Sequence, residues 1–419
     1  MPDYIRGERR DHPVVIADTD RLSHIGVIGK TGVGKSTLLL NLMCTDLKRG
    51  HGFGVLDPHG DLAEQLLDRV PRSRIPDVIY FNAGDLAFPV PFNVFDAVSH
   101  DQHHLVASGL VSILKRYWAS AWGPRTEYLV RNAAFALLES PGATLLEVPR
   151  LLTDEDFRTQ VAGAVENPAV KRFWLTEYAA YTSSFREEII APVQNKIGEF
   201  IMAPIIRNIV GQRKNLFDLR RMMDDGKILI VNLSKGAVGE DTAALLGSMM
   251  LTRILFAAFT RQDIPEAARR PFYLYVDEFP SFATQGTMSA LLSEARKYKL
   301  GLTLSNQYLA QMSDEMRGAL FGNIGTLLSY QLGGEDAEYV SREFDPVSPQ
   351  ELMELPNHHI FLKLKVNGVT SHAFSAKTLP PPPVTTSYRD DIIQRSRRFY
   401  ARPRAIVERR NQGDSQGPP

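Results

Sequence analysis

The stretch Gly29-Lys30-Thr31-Gly32-Val33-Gly34-Lys35-Ser36, with Thr37 behind it, decides how the rest of this 419-residue chain is read. It follows a short apolar run, His24 to Gly29, and precedes Lys35 to Lys48, whose apolar spacing predicts a helix. A glycine-rich turn between strand and helix, closed by Lys-Ser, has the form of a phosphate cradle. Glycines allow positive φ, so successive backbone N–H groups point inward, and the helix N-terminus adds a favourable dipole. Lys35 is then placed to reach β- and γ-phosphates and Ser36 to ligate Mg²⁺. Such a cradle serves kinases, switch GTPases and motor ATPases alike.

A second acidic element narrows the choice. Phe272-Tyr273-Leu274-Tyr275-Val276 is an apolar strand that ends in Asp277-Glu278. At the carboxyl end of a parallel strand, Asp277 would hold Mg²⁺ through water and Glu278 would polarise the attacking water. A strand leaving into solvent through two acids is the plain alternative, and the cradle upstream weighs against it. No Asn-Lys-x-Asp base-reading motif is present, which disfavours a GTPase switch. Further along, Glu294-Ala295-Arg296-Lys297-Tyr298-Lys299-Leu300-Gly301 leads into Leu302-Thr303-Leu304-Ser305-Asn306-Gln307. Gln307, leaving a strand beside the cradle, could sense the γ-phosphate, and Arg296 could be an arginine finger offered to a neighbour's nucleotide. Each could equally be an ordinary helix-end residue.

The wider pattern is a βαβ opening followed by a change of period. Strands are expected at His24 to Gly29, Phe53 to Asp57 and Val78 to Phe81, the mark of a parallel sheet. From Ser99 to Asp225 the spacing is helical, which predicts an all-helical insertion with breaks at Ser140-Pro141-Gly142 and Asn167-Pro168. Alternation then returns: strands at Lys227 to Leu233, Phe272 to Val276, Leu302 to Ser305 and Thr326 to Gln331, with helices at Asp241 to Thr260 and Ser289 to Tyr298. Asn367-Gly368 between apolar runs predicts a hairpin that closes the sheet. Four prolines, Pro380 to Pro383, predict an extended spacer, and Arg395 to Arg410 carries seven arginines against one glutamate. The expected segments are therefore 1–98 and 226–378, two parts of one nucleotide-binding domain, 99–225, a helical insertion, and 379–419, a Pro-rich linker with a basic tail.

Composition excludes several classes. With 44% apolar and 23% charged residues, a collagenous, coiled-coil or mainly disordered chain is ruled out. Lys plus Arg balance Asp plus Glu at 48 each, so the whole surface does not coat nucleic acid, although a local basic channel stays open. The lone Cys44 forms no internal disulfide, which points to a reducing compartment and a cytoplasmic site. The polar start, with Arg6, Arg9 and Arg10, does not read as a signal peptide, and Ala243 to Phe259, interrupted by Ser248, Thr252 and Arg253, reads as a buried helix.

Taken together, GKTGVGKST, VLDPHGD (Val55 to Asp61), the helical insertion, VDEFPSF (Val276 to Phe282) and EARKYKLGLTLSNQ resemble the HerA/FtsK superfamily of hexameric ATPases. Within it the chain is most similar to conjugative coupling proteins of type IV secretion, from Arg21 to Thr378. That resemblance implies an α/β RecA-like core with a mainly parallel sheet and an all-α insertion. It implies ATP and Mg²⁺, with Glu278 activating water, Arg296 acting in trans, Gln307 ending the next strand and Asp57 supporting the site. It further implies a homo-hexamer moving DNA through a central channel, with a secretion-system or relaxase partner. Two features depart from the pattern: no transmembrane helices precede the cradle, and the residues before His24 are too few for the small β-barrel of HerA-type translocases.

Weaker signals have plainer accounts. His100, His103 and His104 lack a cysteine or second histidine cluster to complete a metal site, so a solvated helix start is expected. Lys115, Arg116, Tyr117, Trp118 and Trp122 could stack single-stranded nucleic acid, but core packing fits their spacing better. Lys235, Lys297 and Lys299 are candidate DNA-phosphate contacts, and each is as readily a surface charge. The leading expectation is an ATP-driven DNA translocase. The alternatives are a secretion energiser acting mainly on protein partners, and a nucleotide-controlled scaffold with little turnover.

Overall fold

The computed structural model describes residues 2–5, 8–11, 14–119 and 122–413, with side chains described for 14–119 and 122–411. The central sheet has nine strands: β1 (Ile25–Ile28), β2 (Gly52–Asp57), β3 (Val78–Asn82), β4 (Ile228–Asn232), β5 (Phe272–Val276), β6 (Leu300–Asn306), β7 (Thr326–Ser329), β8 (His359–Lys363) and β9 (Phe374–Lys377). Their order across the sheet is β9-β8-β7-β1-β6-β5-β2-β4-β3. The run from β7 to β4 is parallel, with registers such as Ile28 to Asn306, Val276 to Leu304 and Leu56 to Val276. β8 is antiparallel to β7, and β9 to β8. Every residue of β1, β2, β4, β5, β6 and β7 is buried, which is why these strands read as continuous apolar runs rather than alternating ones. The expected hairpin is present: Lys365–Val366 pairs with Val369–Thr370, and Asn367 and Gly368 both have positive φ, 50° and 87°.

Strand β1 runs into the glycine turn and then helix α1 (Lys35–Arg49), and β2 into α2 (Asp61–Leu67). The inner face of α1, including Leu39, Leu40, Met43 and Leu47, buries with Val27, Val55, Leu66 and Tyr275 in one apolar cluster. Cys44 lies in the same cluster, and burial pushes its thiol up to about 11, so it is an inert core residue. The expected helix Ser289 to Tyr298 is instead an α-helix at Gln285–Glu294, capped by the Thr284 hydroxyl on Thr287 N, and a 3₁₀ turn at Ala295–Tyr298. Lys299, at φ 56°, ends that turn and swings the chain into β6, which begins two residues earlier than its pattern suggests.

The chain divides into two compact units, Met1–Tyr80 with Arg220–Asn232 and Ala257–Ile393, and Phe81–Leu219 with Leu233–Phe256 and Gln394–Pro419. The second contains the described helices between His100 and Val210, among them α3 (His103–Tyr117) and α4 (Pro124–Leu138). Ser140 to Gly142 is a turn, and Asn167 caps the helix Pro168–Arg172 by accepting from Ala169 N and Val170 N. The units do not end at 98, 225 and 378. Most of the helix Glu240–Phe259 groups with the helical unit, where Tyr117 Oη meets Ser248 Oγ at 3.0 Å and the Phe256 carbonyl accepts from Gln102. Among the described residues, Glu240–Asp263 is the one stretch with the length and hydropathy of a membrane span, and 78% of its apolar window is buried.

Residues 379–419 are not a linker with a tail throughout. Arg389–Tyr400 and Arg404–Gly413 are helices that bury Ile392, Ser396 and Val407, a period the arginine count had obscured. The proline run lies outside any helix or strand and is held by carbonyls: Asn41 donates to Leu379 O and Pro380 O, and Arg69 to Pro382 O. Arg389 then pairs with Asp68 and Glu64 on and beside α2.

Candidate functional site

The order β1-β6-β5-β2 brings the carboxyl ends of four parallel strands side by side, and each ends in a residue singled out above. β1 leads to the glycine turn, β6 to Gln307, β5 to Asp277 and Glu278, and β2 ends in Asp57. Adjacent strands lie about 4.8 Å apart, so the turn and the acidic pair, two strands away, share one crevice.

Long-range contacts hold the turn open. Gly29 N donates to Asn306 O, Lys30 N to Gln331 O, His358 N to Val33 O and Tyr330 Oη to Gly34 O, all within 3.2 Å. Gly32 and Gly34 have φ of 80° and 115°. A Cβ on Gly34 would also stand 2.8 Å from His358 Nδ1, and one on Gly29 would stand 2.5 Å from Tyr330 Cβ. Gly34 is therefore required by packing as well as by φ, and Gly29 by packing. Tyr330 and His358 lack any local signal, because they meet the turn only through the fold. Thr31, Gly32 and Ser36 face solvent at the mouth, Thr37 is half-buried, and Lys35 is buried.

Lys35 Nζ donates to Gly29 O at 2.6 Å and Lys30 O at 2.8 Å, folding the ammonium back over the turn. Burial lowers its pKa, and the charges of Glu278 and Asp277 oppose that shift. The Glu278 carboxyl is raised from the usual carboxylate range, first by burial and then by Asp277. Lys35, a hydrogen bond from Gln307 and His59 act the other way. Glu278 sits at φ 48°, a left-handed backbone uncommon for a glutamate, directly after the strand. Asp277 is buried beside it, and its Oδ1 accepts from Glu278 N. Gln307 links the two halves: Thr31 Oγ1 donates to its Oε1 at 2.7 Å, and its amide reaches Glu278. His59, inside VLDPHGD but not singled out, is thus part of the electrostatic setting of Glu278.

Asp57 is fully buried and accepts from His59 N and Ala63 N, so its carboxylate opens α2. Burial raises its pKa, and these N–H groups with Gly60 N–H oppose the rise. Asn306, also buried, donates from its amide to Tyr308 O and leaves Oδ1 without a hydrogen-bond partner next to the turn.

Arg296 is elsewhere. It is exposed at the opposite end of β6 from Gln307, and its charge acts on His24, the residue that opens β1. Seven residues of strand separate the two ends, about 20 Å. Arg296 therefore does not reach the crevice of its own chain. The three candidate DNA-contacting lysines are ion-paired: Lys297 with Glu294, Lys299 with Glu266 and Lys235 with Glu240. Their charges are balanced locally.

A nine-stranded, mainly parallel sheet with a phosphate turn after β1 and an acidic pair after a strand two places away defines a RecA-like P-loop fold. The sequence profile of the type IV secretion-system coupling protein DNA-binding domain matches residues 13–344, and the chain belongs to that family. Its fold is similar to that of plasmid coupling protein TrwB in complex with ADP and Mg²⁺, with TM-score 0.63, 18% identity and coverage of 89% of this chain and 88% of that one. The unbound form of the conjugative coupling protein TrwBdeltaN70 gives 0.63, 16%, 92% and 90%. VirB4 of Thermoanaerobacter pseudethanolicus gives 0.55, 13%, 86% and 90%. No curated protein sequence matches.

Proposed function

We propose that this chain is an ATP-hydrolysing motor that translocates DNA in conjugative or type IV secretion transfer. The observation that carries the reading is the convergence of Lys35, Glu278 and Gln307 on one crevice beside the glycine turn. The donors there are oxygens suited to Mg²⁺: the exposed Ser36 hydroxyl and the Asp277 carboxylate. TrwB, in the same family, has been solved with ADP and Mg²⁺. Bound ATP·Mg²⁺ supplies an electrophilic γ-phosphoryl group whose charge the metal spreads.

The chain's own residues do the rest. Lys35 exchanges its two carbonyl acceptors for β- and γ-phosphate oxygens, which offer a stronger charge-assisted bond. Glu278, with a raised pKa, orients the attacking water and takes its proton. Gln307 holds Glu278 and the Thr31 hydroxyl in one hydrogen-bonded line, so a change at the γ-position moves the end of β6. Arg296 serves a neighbouring chain's nucleotide, and a homo-hexameric ring gives each crevice such a neighbour. DNA then contacts the ring through phosphates, independently of sequence and with steep salt dependence. A cytoplasmic site, next to a secretion-system or relaxase partner, belongs to the same reading.

ATP turnover with and without single- and double-stranded DNA tests this. The reading predicts stimulation of at least tenfold that falls steeply with added salt. DNA-independent turnover would favour an energiser of protein transfer, and nucleotide binding without turnover would favour a scaffold.

A further inference from the structure

The helical unit carries a cluster that its local sequence does not complete. His100 lies in the 3₁₀ turn His100–Gln102 and His103 opens α3, so the two imidazoles, three residues apart, share a face. Their ring centroids are 5.1 Å apart. Glu139, at the C-cap of α4, is brought against them by the α3–α4 hairpin, and one ligating atom from each of the three lies within 4.8 Å of the others. His104, the third histidine of the stretch, is not in the group.

We propose that His100, His103 and Glu139 form a binding site for one divalent cation of the zinc class. Two imidazole nitrogens and a carboxylate oxygen are a zinc donor set, with water left to fill a fourth position. His103 is 7% exposed, and its Nδ1 is buried without a hydrogen-bond partner, a cost that a cation would remove. Glu139 is fixed through Oε2, which accepts from Glu166 N at 2.5 Å and Asn167 N at 3.3 Å. Backbone support of this kind is what holds metal-binding imidazoles and carboxylates in place. His100 is exposed, so the cluster is open to solvent on that side, and binding would draw the donor atoms in to the roughly 3.4 Å separation of a tetrahedral site. Nitrogen donors disfavour Mg²⁺ and Ca²⁺, so the site is chemically distinct from the oxygen-lined crevice of the other unit. A bound cation would tie the start of α3, the end of α4 and the Glu166-Asn167 turn together.

The test uses the untagged full-length protein, stripped with chelator, without nucleotide, and Zn²⁺ alone as probe in titration calorimetry and thermal unfolding. We expect one Zn²⁺ per chain, a raised unfolding temperature and no equivalent response to Mg²⁺. His100→Ala and Glu139→Gln, both at least partly exposed positions, should each weaken Zn²⁺ binding at least tenfold while the circular dichroism of the stripped proteins is unchanged. His104→Ala should bind as the wild type does. Absence of stoichiometric Zn²⁺ binding by the wild type, or wild-type affinity in both His100→Ala and Glu139→Gln, overturns the assignment.

Discussion

Thr31 Oγ1 donates to Gln307 Oε1 at 2.7 Å, joining the tip of the phosphate turn to the end of the neighbouring strand, while Gln307 also favours the ionised form of the Glu278 carboxyl. One side chain thus touches the turn and influences the acidic pair together.

Replacing Gln307 should therefore alter chemistry more than affinity. Gln307→Ala is expected to lower kcat by about 10²-fold, the scale of losing one preorganised partner, with the ATP dissociation constant within about threefold. Steady-state kinetics and fluorescent-nucleotide titration separate the two. A tenfold loss of affinity with unchanged kcat would place Gln307 in binding instead.

The pH profile follows from the same carboxylate. Glu278 must be ionised to act as base, and burial with Asp277 raises its pKa, so the acid limb of kcat should lie above the ordinary glutamate value of about 4.3. The Gln307 bond lowers that pKa, so in Gln307→Ala the acid limb should move further toward neutral pH. A limb that stays in place would separate the bond from the base.

Arg296 and the turn occupy opposite ends of the sheet, which sets a prediction about partners. Arg296→Ala should bind nucleotide nearly as the wild type does and hydrolyse it at least tenfold more slowly. Mixing Arg296→Ala chains with Glu278→Gln chains should restore part of the activity, because the crevice of an Arg296→Ala chain keeps Glu278 and is completed by the Arg296 of a neighbouring Glu278→Gln chain. Failure of nucleotide binding in the Arg296→Ala chain would contradict action in trans.

Stability rests on a different buried pair. Arg21 donates to both oxygens of the fully buried Asp46, at 2.6 and 2.8 Å, and to Tyr275 Oη at 2.7 Å, fastening α1 to β5. Burial alone would raise the Asp46 carboxyl, but Arg21, His51 and Tyr275 outweigh it and hold the pKa below the usual range. A depressed carboxylate contributes stability that is present above its unfolded value, about 3.9, and is lost as pH falls through the folded one. Asp46→Ala, which strands Arg21, should cost about 3–5 kcal/mol near neutrality. Urea unfolding at pH 7 and below pH 4 should show that difference shrinking in acid.

The strands β1, β2, β4 and β5 were legible because both sheet faces are covered, so each is a short apolar run bounded by turn residues. The Asn367-Gly368 hairpin was legible from its turn residues alone. What local pattern could not show is what the fold assembles from afar. Tyr330 and His358 brace a turn some 300 residues upstream, Gln307 meets Thr31 only because β6 lies beside β1, and Glu139 meets His100 only through the α3–α4 hairpin. The C-terminal arginines hid two helices because charge dominates the composition while Ile392 and Val407 supply the buried face.

The most direct measurement is the rate of ATP hydrolysis by Glu278→Gln in the presence of DNA, together with its nucleotide affinity. The account predicts hydrolysis reduced by about 10²–10⁴-fold with ATP·Mg²⁺ still bound. Hydrolysis at the wild-type rate would contradict it, since the acidic end of β5 would then have no part in cleaving the nucleotide held by the turn after β1.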